Sequence, residues 1–517
     1  MRPPGIASPP GEPRRSSSRA RPSRAAGAAA LALLGALARP VHAQDAALRP
    51  VQPEPPPAKV EAFGADPRPL RAAAEEGLLL GISFGLYLVH PSDTAAPDGI
   101  YSPGDKLFRG AISVDANKGF TNFAGHPVAG TAYYLIARGN RLPTWLASLY
   151  AAGGATTWEL IEFHEKASIN DLVVTPVAGI ALGESAHQLS SFFERRNAGG
   201  FDRALSWLFQ PVRRFHDRTD GIPGQAGAEL PWHRFEAEAA GGAVLRGGAG
   251  AAAASVGLSS RIVHGAGYGE AGAGTRALLD GNDTRLAAEM TWGGGRIAEA
   301  HLGAHATLVG LYHRDLSEDA GGELHGQDLL LDVGTEFNSD FRDWGGPGRT
   351  DWTSLVDVPG AGIAWRLFGG PARFEARLRA ALTFGGVLSF PLAADAGAVP
   401  PSELGTVTRA YQYYFALGLA LAPGIEARLG PVALSAAARI DRLQGIIHQD
   451  PAPWLAGPPV PLADSRTTAS AAARWDTPLA GLSVDLSYER AWREGNVGDV
   501  RRSATAGRAL AGATWSF

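Results

Sequence analysis

The chain has 517 residues, a formal net charge of −4 and no cysteine. The near-neutral charge argues against a nucleic-acid-binding protein. The lack of cysteine excludes disulfides, thiolate metal ligands and a lipid anchor attached through cysteine. No P-loop, dinucleotide fingerprint or G-x-S-x-G motif is found in the sequence, so these motifs give no support to nucleotide or serine-hydrolase chemistry.

The N-terminal segment has the parts of a secretory signal peptide. Several arginines precede the apolar run AAGAAALALLGALA, and Val41-x-Ala43 provides a cleavage motif. We therefore predict a signal peptide over residues 1–43, cleaved after Ala43, with an uncleaved membrane anchor as the alternative. Residues 44–77 are rich in proline, which favours an extended linker.

Residues 78–220 are predicted to form a helical module. The segment LPTWLASLYAAGGATTWELIEFHEK is long enough to span a membrane, but Glu159 and Glu162 interrupt its second half. Polar interruptions of this kind are compatible with export. The apolar segment 78–90 alternates weakly and could instead add a strand.

Two carboxylates share one face of this predicted helix, because Glu159 and Glu162 are three residues apart. The next helix is predicted to begin at Ser168, with Asp171 in a capping-box position. Small or polar residues recur at every fourth position along that helix: Asp171, Thr175, Gly179 and Gly183. A short turn joins the two helices, so we expect an antiparallel pair with Glu162 near Asp171 and Glu159 near Thr175.

Four sequence motifs follow one another at close spacing in this module: FTNFAGHPVAGTAYYLIARGN, WELIEF, SINDLVVTPVAGIALGES and, more loosely, GGFDRALSW. Over roughly residues 80–215 the chain resembles DUF3943, a bacterial domain family of unknown function. The family's WE...E motif is approximated by WELIEFHE, which offers Glu162 or Glu165 as its second glutamate. The resemblance implies a related fold and a location in the cell envelope, and it implies no activity.

The candidate catalytic residues are His126, Glu159, Glu162 and Asp171. Neighbouring carboxylates in apolar surroundings have raised pKa values, which suits acid–base or metal chemistry. The competing interpretation, which we adopt, is that these groups bond neighbouring helices and that no metal or other cofactor is bound. The structural polar stripe then comprises Arg138, Glu159, Glu162, Asp171, Thr175, Gly179, Gly183 and Glu184.

From residue 231 to 517 the sequence alternates between apolar and polar residues. In GLSVDLSYERAW, Leu482 and Val484 alternate with Ser483 and Asp485. Many such segments run roughly 10–14 residues, which suits tilted transmembrane strands. We predict a mainly β protein, with an antiparallel transmembrane barrel of about 12 strands. The candidate strands are 231–240, 252–264, 284–293, 297–311, 326–339, 355–368, 371–388, 408–428, 431–445, 466–477, 481–493 and 505–517.

The final segment AGRALAGATWSF resembles the C-terminal strand of bacterial outer-membrane barrels. The resemblance implies that the barrel-assembly machinery recognises the terminal phenylalanine, which is Phe517 in this chain. We therefore predict an outer-membrane protein of a Gram-negative-type envelope, in contact with outer-membrane lipids.

Two functions remain open from the sequence. In the first, the helical module braces or gates the barrel at its periplasmic side. In the second, the protein is a membrane-embedded, lipid-modifying enzyme that uses the carboxylates and His126. No Ser–His–Asp order can be argued from the sequence, so the non-enzymatic function is preferred and enzymatic activity is left open.

Overall fold

The computed structural model describes residues 66–89, 99–115, 117–279, 281–346, 349–390, 408, 411–446 and 461–516. The expected signal peptide and cleavage site, most of the linker and Phe517 lie outside these described residues. Their roles stay predictions.

The N-terminal part of the described chain is helical. Its elements are α1 (Pro69–Val89), α2 (Pro103–Phe108), β1 (Ile112–Ser113), a π-helical turn (Thr121–Gly125), α3 (His126–Gly139), α4 (Thr144–Ile161), β2 (Ala167–Ser168), α5 (Ile169–Arg196), α6 (Gly200–Phe209) and α7 (Pro211–Thr219). Among the described residues, α1 is the one helix long and apolar enough to cross a membrane.

Helix α1 corrects two expectations. It begins at Pro69, inside the predicted linker, and it covers the segment 78–89 where a strand was considered. Proline at the first helical position is pre-organised for a helix start. The following residues, RAAAEEGLLL, are mostly strong helix formers, so propensity outweighs the weak alternation.

Helices α1, α3, α4 and α5 form a bundle in which α3 and α5 approach most closely. A Cβ atom added to Gly130 would lie 1.8 Å from the carbonyl oxygen of Thr175. One added to Gly179 would lie 2.4 Å from the carbonyl carbon of Gly130. The expected contact between α4 and α5 is present, but the glycine stripe of α5 brings it against α3.

The C-terminal part is a closed antiparallel barrel. Its strands are β3 (Trp232–Arg246), β4 (Ala249–Val263), β6 (Asp283–Gly293), β7 (Arg296–Glu318), β8 (Leu324–Asp343), β9 (Thr350–Gly369), β10 (Ala372–Leu388), β11 (Tyr413–Leu429), β12 (Val432–Gly445), β13 (Leu462–Asp476), β14 (Leu482–Val497) and β15 (Val500–Ser516). Pairing of β7 with β8 and of β15 with β3 closes the ring.

The prediction of a 12-strand barrel is confirmed, and its twelve segments correspond in order to the twelve strands of the ring. A further strand, β5 (Gly272–Leu279), pairs with the second half of β7. This strand was not predicted. It lies in a glycine-rich stretch that lacks clear alternation.

The two ends of the barrel differ. Strand β3 begins, and β15 ends, at one end, which we call the entry end. The opposite end carries the connections 389–412 and 446–461, and we call it the loop end, whereas the entry end carries the connection 264–282, which contains β5. In bacterial barrels the short turns are periplasmic and the longer loops are extracellular.

Alternation gives the barrel an apolar outer wall and a charged lumen. Outward residues such as Leu258, Leu419 and Leu486 are exposed. Inward arginines pair with carboxylates on distant strands. Arg342 of β8 donates to Glu489 of β14 at 2.5 Å, and these strands lie six apart on opposite sides of the ring. The ion pairs therefore cross the lumen.

The bundle packs lengthwise on the outer wall. Apolar residues of α5 contact outward side chains of β7 to β10, in a cluster that comprises Val174, Ala178, Ala181, Ala304, Phe337, Val356 and Phe384. Towards the entry end, Phe192 packs against Phe235 of β3. At the loop end, Phe123 contacts Trp352 and Tyr413. Helix α5 therefore runs along the wall from the loop end to the entry end.

This arrangement corrects the expected docking of the module at the periplasmic side. Helix α5 has a second apolar face, opposite its glycine stripe. To bury this face along its whole length, the helix needs an apolar surface that is equally long. The wall offers that surface, whereas the lumen is filled by charged side chains. Helices α6 and α7 follow α5 at the entry end, where Phe209 stacks on Phe193.

Candidate functional site

Three chain segments bring polar groups together at the loop end of the bundle. Parallel pairing of β1 with β2 places Asp115 beside Asn170, whose Oδ1 accepts from the Asp115 main-chain N–H at 2.8 Å. His126 is the first residue of α3. Asp171 lies in the first turn of α5, where its main-chain N–H donates to the N-cap Ser168 at 3.2 Å.

His126 lies between two aspartates. Its Nε2 atom is 3.3 Å from Asp171 Oδ1 and 3.7 Å from Asp115 Oδ2. One ligand atom from each of the three residues falls within 4.8 Å of the others. Nε2 makes no well-aligned hydrogen bond and is buried.

Two asparagines orient the aspartates. Asn117 donates to Asp115 through its main-chain N–H at 3.0 Å and through Nδ2 at 2.7 Å. Asn170 Nδ2 donates to Asp171 Oδ1 at 2.7 Å. Each carboxylate is therefore held in one orientation while part of its acceptor capacity remains directed towards His126.

Glu159, near the end of α4, borders the same group and is only 1% exposed. Its Oε2 accepts from the main-chain N–H of Ser168 at 2.6 Å, whereas Oε1 has no hydrogen-bond partner. The hydroxyl of Thr175 is buried without a hydrogen bond as well. From the sequence, either Thr175 or a main-chain N–H was expected to partner Glu159, and in the structure the main-chain N–H of Ser168 does so.

The segment after α4 adds further charge. Lys106 Nζ donates to the main-chain carbonyls of Glu159 and Glu162, which secures the end of α4. Burial, followed by the negative charges of Glu159 and Asp115, raises the pKa of Glu162 to about 8, although His126 and Lys106 act in the opposite direction. An additional negative charge is therefore unfavourable at this point.

A cavity of about 510 Å³ opens onto these groups. Its polar lining includes His126, Glu159, Glu162, Asp171 and Thr175. Its apolar lining comes from α1, α3 and α4 and includes Leu86, Tyr87, Ala129, Ala155 and Trp158. A ligand in this cavity would contact charged groups on one side and apolar groups on the other.

The rest of the predicted polar stripe forms a separate cluster. Arg138 Nε lies 2.9 Å from Glu184 Oε2, which also accepts from Tyr134 Oη at 2.8 Å. Gly183 lies between the clusters, and a Cβ atom there would meet the ring of Tyr134 at 2.6 Å. The stripe therefore divides into a site at the loop end and a paired charge cluster further along α5.

The sequence missed four residues of the site: Lys106, Asp115, Asn117 and Asn170. Asp115 is 56 positions from Asp171, and the pairing of β1 with β2, two residues in each strand, brings them together. A strand pair of this length has no recognisable period. The one available signal was the run SVDANKG, with its several polar residues, immediately before the FTNFAGHP motif.

The closed antiparallel ring, the charged lumen and the apolar wall together define a β-barrel of the outer-membrane type, preceded by a helical region. Residues 111–212 match the family model described as "Domain of unknown function (DUF3943)". This confirms the resemblance over that segment, which includes Asp115, His126, Glu159 and Asp171.

Comparison with curated proteins gives no match. Among solved structures, the translocator domain of the autotransporter NalP from Neisseria meningitidis is 15% identical, covering 61% of this chain and 98% of its own, with a TM-score of 0.20. The toluene transporter TodX from Pseudomonas putida is 9% identical, covering 56% and 90%, with a TM-score of 0.21. At these scores neither likeness carries an argument, and the barrel assignment rests on the strand pairing.

Proposed function

We propose that this protein is an outer-membrane scaffold, in which a barrel with a closed lumen holds a helical bundle and its polar site against the outer wall. The observation that carries the proposal is the set of ion pairs crossing the lumen. A solute channel needs a continuous aqueous path, and these pairs occupy it.

The crossing pairs are buried or half-buried, and they connect several levels of the barrel. Arg439 Nη1 of β12 lies 3.2 Å from Glu336 Oε1 of β8. Arg493 of β14 lies 3.4 Å from Asp351 of β9. Breaking a buried pair by loss of one partner costs about 3–5 kcal/mol, so the lumen does not open readily.

An outer-membrane location accounts for the exposed surfaces. Apolar side chains face outward from strands that the bundle does not cover, and helix α1 presents Leu78 and Ile82 on its exposed side. At the entry end, α6 and α7 expose Phe201 and Phe215, which suits contact with a membrane surface. Lipids and the barrel-assembly machinery are the partners that follow from this location.

Conductance in planar bilayers tests the closed lumen. We expect purified, refolded protein to insert without stepwise conductance, whereas the double variant Arg342→Ala/Glu489→Ala should show small openings because a crossing pair is removed. A porin serves as the positive control. Stable, porin-like conductance of the wild-type protein would contradict the scaffold proposal. Heat-modifiable migration of the outer-membrane fraction checks location and assembly.

The cavity favours one second candidate function, a membrane-embedded lipid-modifying enzyme. His126 and Glu159 converge beside an apolar lining, as an acid–base site acting on a lipid would require. Lipid profiling of a deletion strain, complemented with wild type or with Glu159→Gln, tests it. A lipid change that wild type restores and the variant does not, at equal amounts of assembled protein, would support this function. Unchanged lipids would exclude it under the conditions used.

A further inference from the structure

We propose that Asp115, His126 and Asp171 bind a divalent transition-metal cation, with Oε1 of Glu159 as a further ligand. This inference goes beyond the scaffold function and is independent of it, since the site lies outside the lumen. It differs from the expectation, based on the sequence, that these residues hold no metal.

The donor geometry is close to that of a metal site. With bonds of about 2.0–2.2 Å, tetrahedral ligands lie about 3.3–3.6 Å apart. His126 Nε2 is 3.3 Å from Asp171 Oδ1 and 3.7 Å from Asp115 Oδ2, and all three ligand atoms fall within 4.8 Å. One of the two distances from Nε2 therefore falls within the tetrahedral range, and the other lies just above it.

A buried carboxylate oxygen without a hydrogen bond belongs to a residue that lines the same cavity as His126 and Asp171. Glu159 is 1% exposed, and its Oε1 makes no hydrogen bond, although its other oxygen is bonded to Ser168 N–H. A buried carboxylate oxygen without a partner is costly unless the group is protonated or bound to a cation. Metal coordination would satisfy Oε1 and the free Nε2 of His126 together.

The charge balance also favours a cation. Asp115, Glu159, Glu162 and Asp171 are all buried, and the cations that act on Glu162 are His126 and Lys106. The N-terminus of α5 supplies about half a positive charge near Asp171, which is too little to balance the remaining carboxylates. A divalent ion would reduce their mutual repulsion.

The ligands indicate which metals fit. Imidazole nitrogen combined with carboxylate oxygen suits Zn²⁺, Mn²⁺ or Fe²⁺. Ca²⁺ takes six to eight oxygen ligands, and Mg²⁺ keeps several waters in octahedral geometry. Asn117 and Asn170 fix the two aspartates, which is the role that outer hydrogen-bond partners have in metal sites.

The test uses full-length protein, refolded in detergent and stripped with a chelator. Titration with Zn²⁺ or Mn²⁺, with Mg²⁺ and Ca²⁺ as comparison ions, should give about one tightly bound Zn²⁺ or Mn²⁺ per chain. Asp115→Asn/Asp171→Asn should weaken that affinity at least about 100-fold, and Asn117→Ala should weaken it about 10- to 100-fold. Asp217→Asn is the matched control, because Asp217 belongs to an arginine-paired cluster near the entry end and should bind as wild type does.

Magnetic resonance of bound Mn²⁺ tests the proposed metal site even if the ligand variants fail to assemble. Wild-type protein loaded with Mn²⁺ should show coupling to one imidazole nitrogen, and His126→Gln should remove it where the variant folds. Absence of stoichiometric binding, absence of nitrogen coupling in the wild type, or equal affinity in wild type and the double Asp→Asn variant would overturn the proposal. These outcomes are separate from conductance, so the metal site and the scaffold can fail independently.

Discussion

The barrel lumen and the site at the loop end of the bundle both bury many charges, but they balance them differently. In the lumen, inward arginines lie against carboxylates of nearby or opposite strands, as Arg379 of β10 does with Asp332 and Glu336 of β8. In the site, carboxylates gather around one imidazole and one ammonium group. The lumen is self-complementary in charge, whereas the site has an acidic excess.

The difference separates stability from binding. A buried ion pair whose partners satisfy each other needs no bound ligand. It resists separation because a single buried charge without its partner is costly in free energy. A buried acidic group with unpaired atoms is stable only with protons or a bound cation. The following predictions test whether the two regions respond differently when one charged or packing group is changed.

The largest effect is expected in the lumen. Arg493 is fully buried and lies 2.8 Å from Asp464 Oδ1 and 3.4 Å from Asp351 Oδ2. Arg493→Ala would leave both buried carboxylates without the cation that lies between them, so the free energy of unfolding should fall by about 3–5 kcal/mol. Denaturant unfolding in lipid vesicles measures it. The control is Arg501→Ala, whose side chain is 68% exposed and should change stability by less than about 1 kcal/mol.

A smaller effect is expected where α3 and α5 touch. Gly130→Ala would place a Cβ atom 1.8 Å from Thr175 O, so the helices must separate, at a cost of about 3 kcal/mol. Gly153→Ala on α4 is the control, because open space surrounds that position and helix propensity should improve stability by up to about 1 kcal/mol. Limited proteolysis of the bundle distinguishes them. Equal protease resistance would contradict the close helix contact.

The sequence predicted the barrel well and the position of the bundle poorly, for a physical reason. Period-two alternation identifies both faces of a strand without knowledge of its neighbours, so twelve segments were recognised. The period of α5 likewise identified its glycine stripe. A period does not identify the partner surface, however. The lengthwise contact of Ala178 and Ala181 with the wall depends on the finished barrel, and this contact was not predicted.

The site shows the same limit. Glu159, Asp171 and His126 were identified because they interrupt apolar helices or stand beside proline at a helix start. Asp115 has no such local signal, since its position depends on the pairing of β1 with β2. The sequence left open whether Thr175 or a main-chain N–H would partner Glu159, for a related reason. The Ser168 N–H, left without a helical acceptor at the start of α5, competes for the same carboxylate.

Glu159 provides a test inside the site. Glu159→Ala leaves the buried Ser168 N–H without its acceptor, which should cost about 1–3 kcal/mol and lower the yield of assembled protein. Glu159→Gln keeps an acceptor of similar shape and should be milder. The heat-modifiable fraction measures both. If both variants assemble normally while a lipid phenotype disappears, a chemical role for Glu159 replaces the structural one.

The smallest effect on stability is expected at Thr175, whose substitution tests a polar group of the site that makes no hydrogen bond. Its hydroxyl is buried and makes no hydrogen bond, so Thr175→Val replaces a polar group by an apolar one of similar shape. Because no bond is lost, stability should stay within about 0.5 kcal/mol or increase. Ser168→Ala is the contrast, since its hydroxyl accepts from Asp171 N–H at 3.2 Å and caps α5, and its loss should cost about 1 kcal/mol. Destabilisation of Thr175→Val by more than Ser168→Ala would show that Thr175 is engaged, as the sequence alone had suggested, and that this edge of the site is paired as the lumen is.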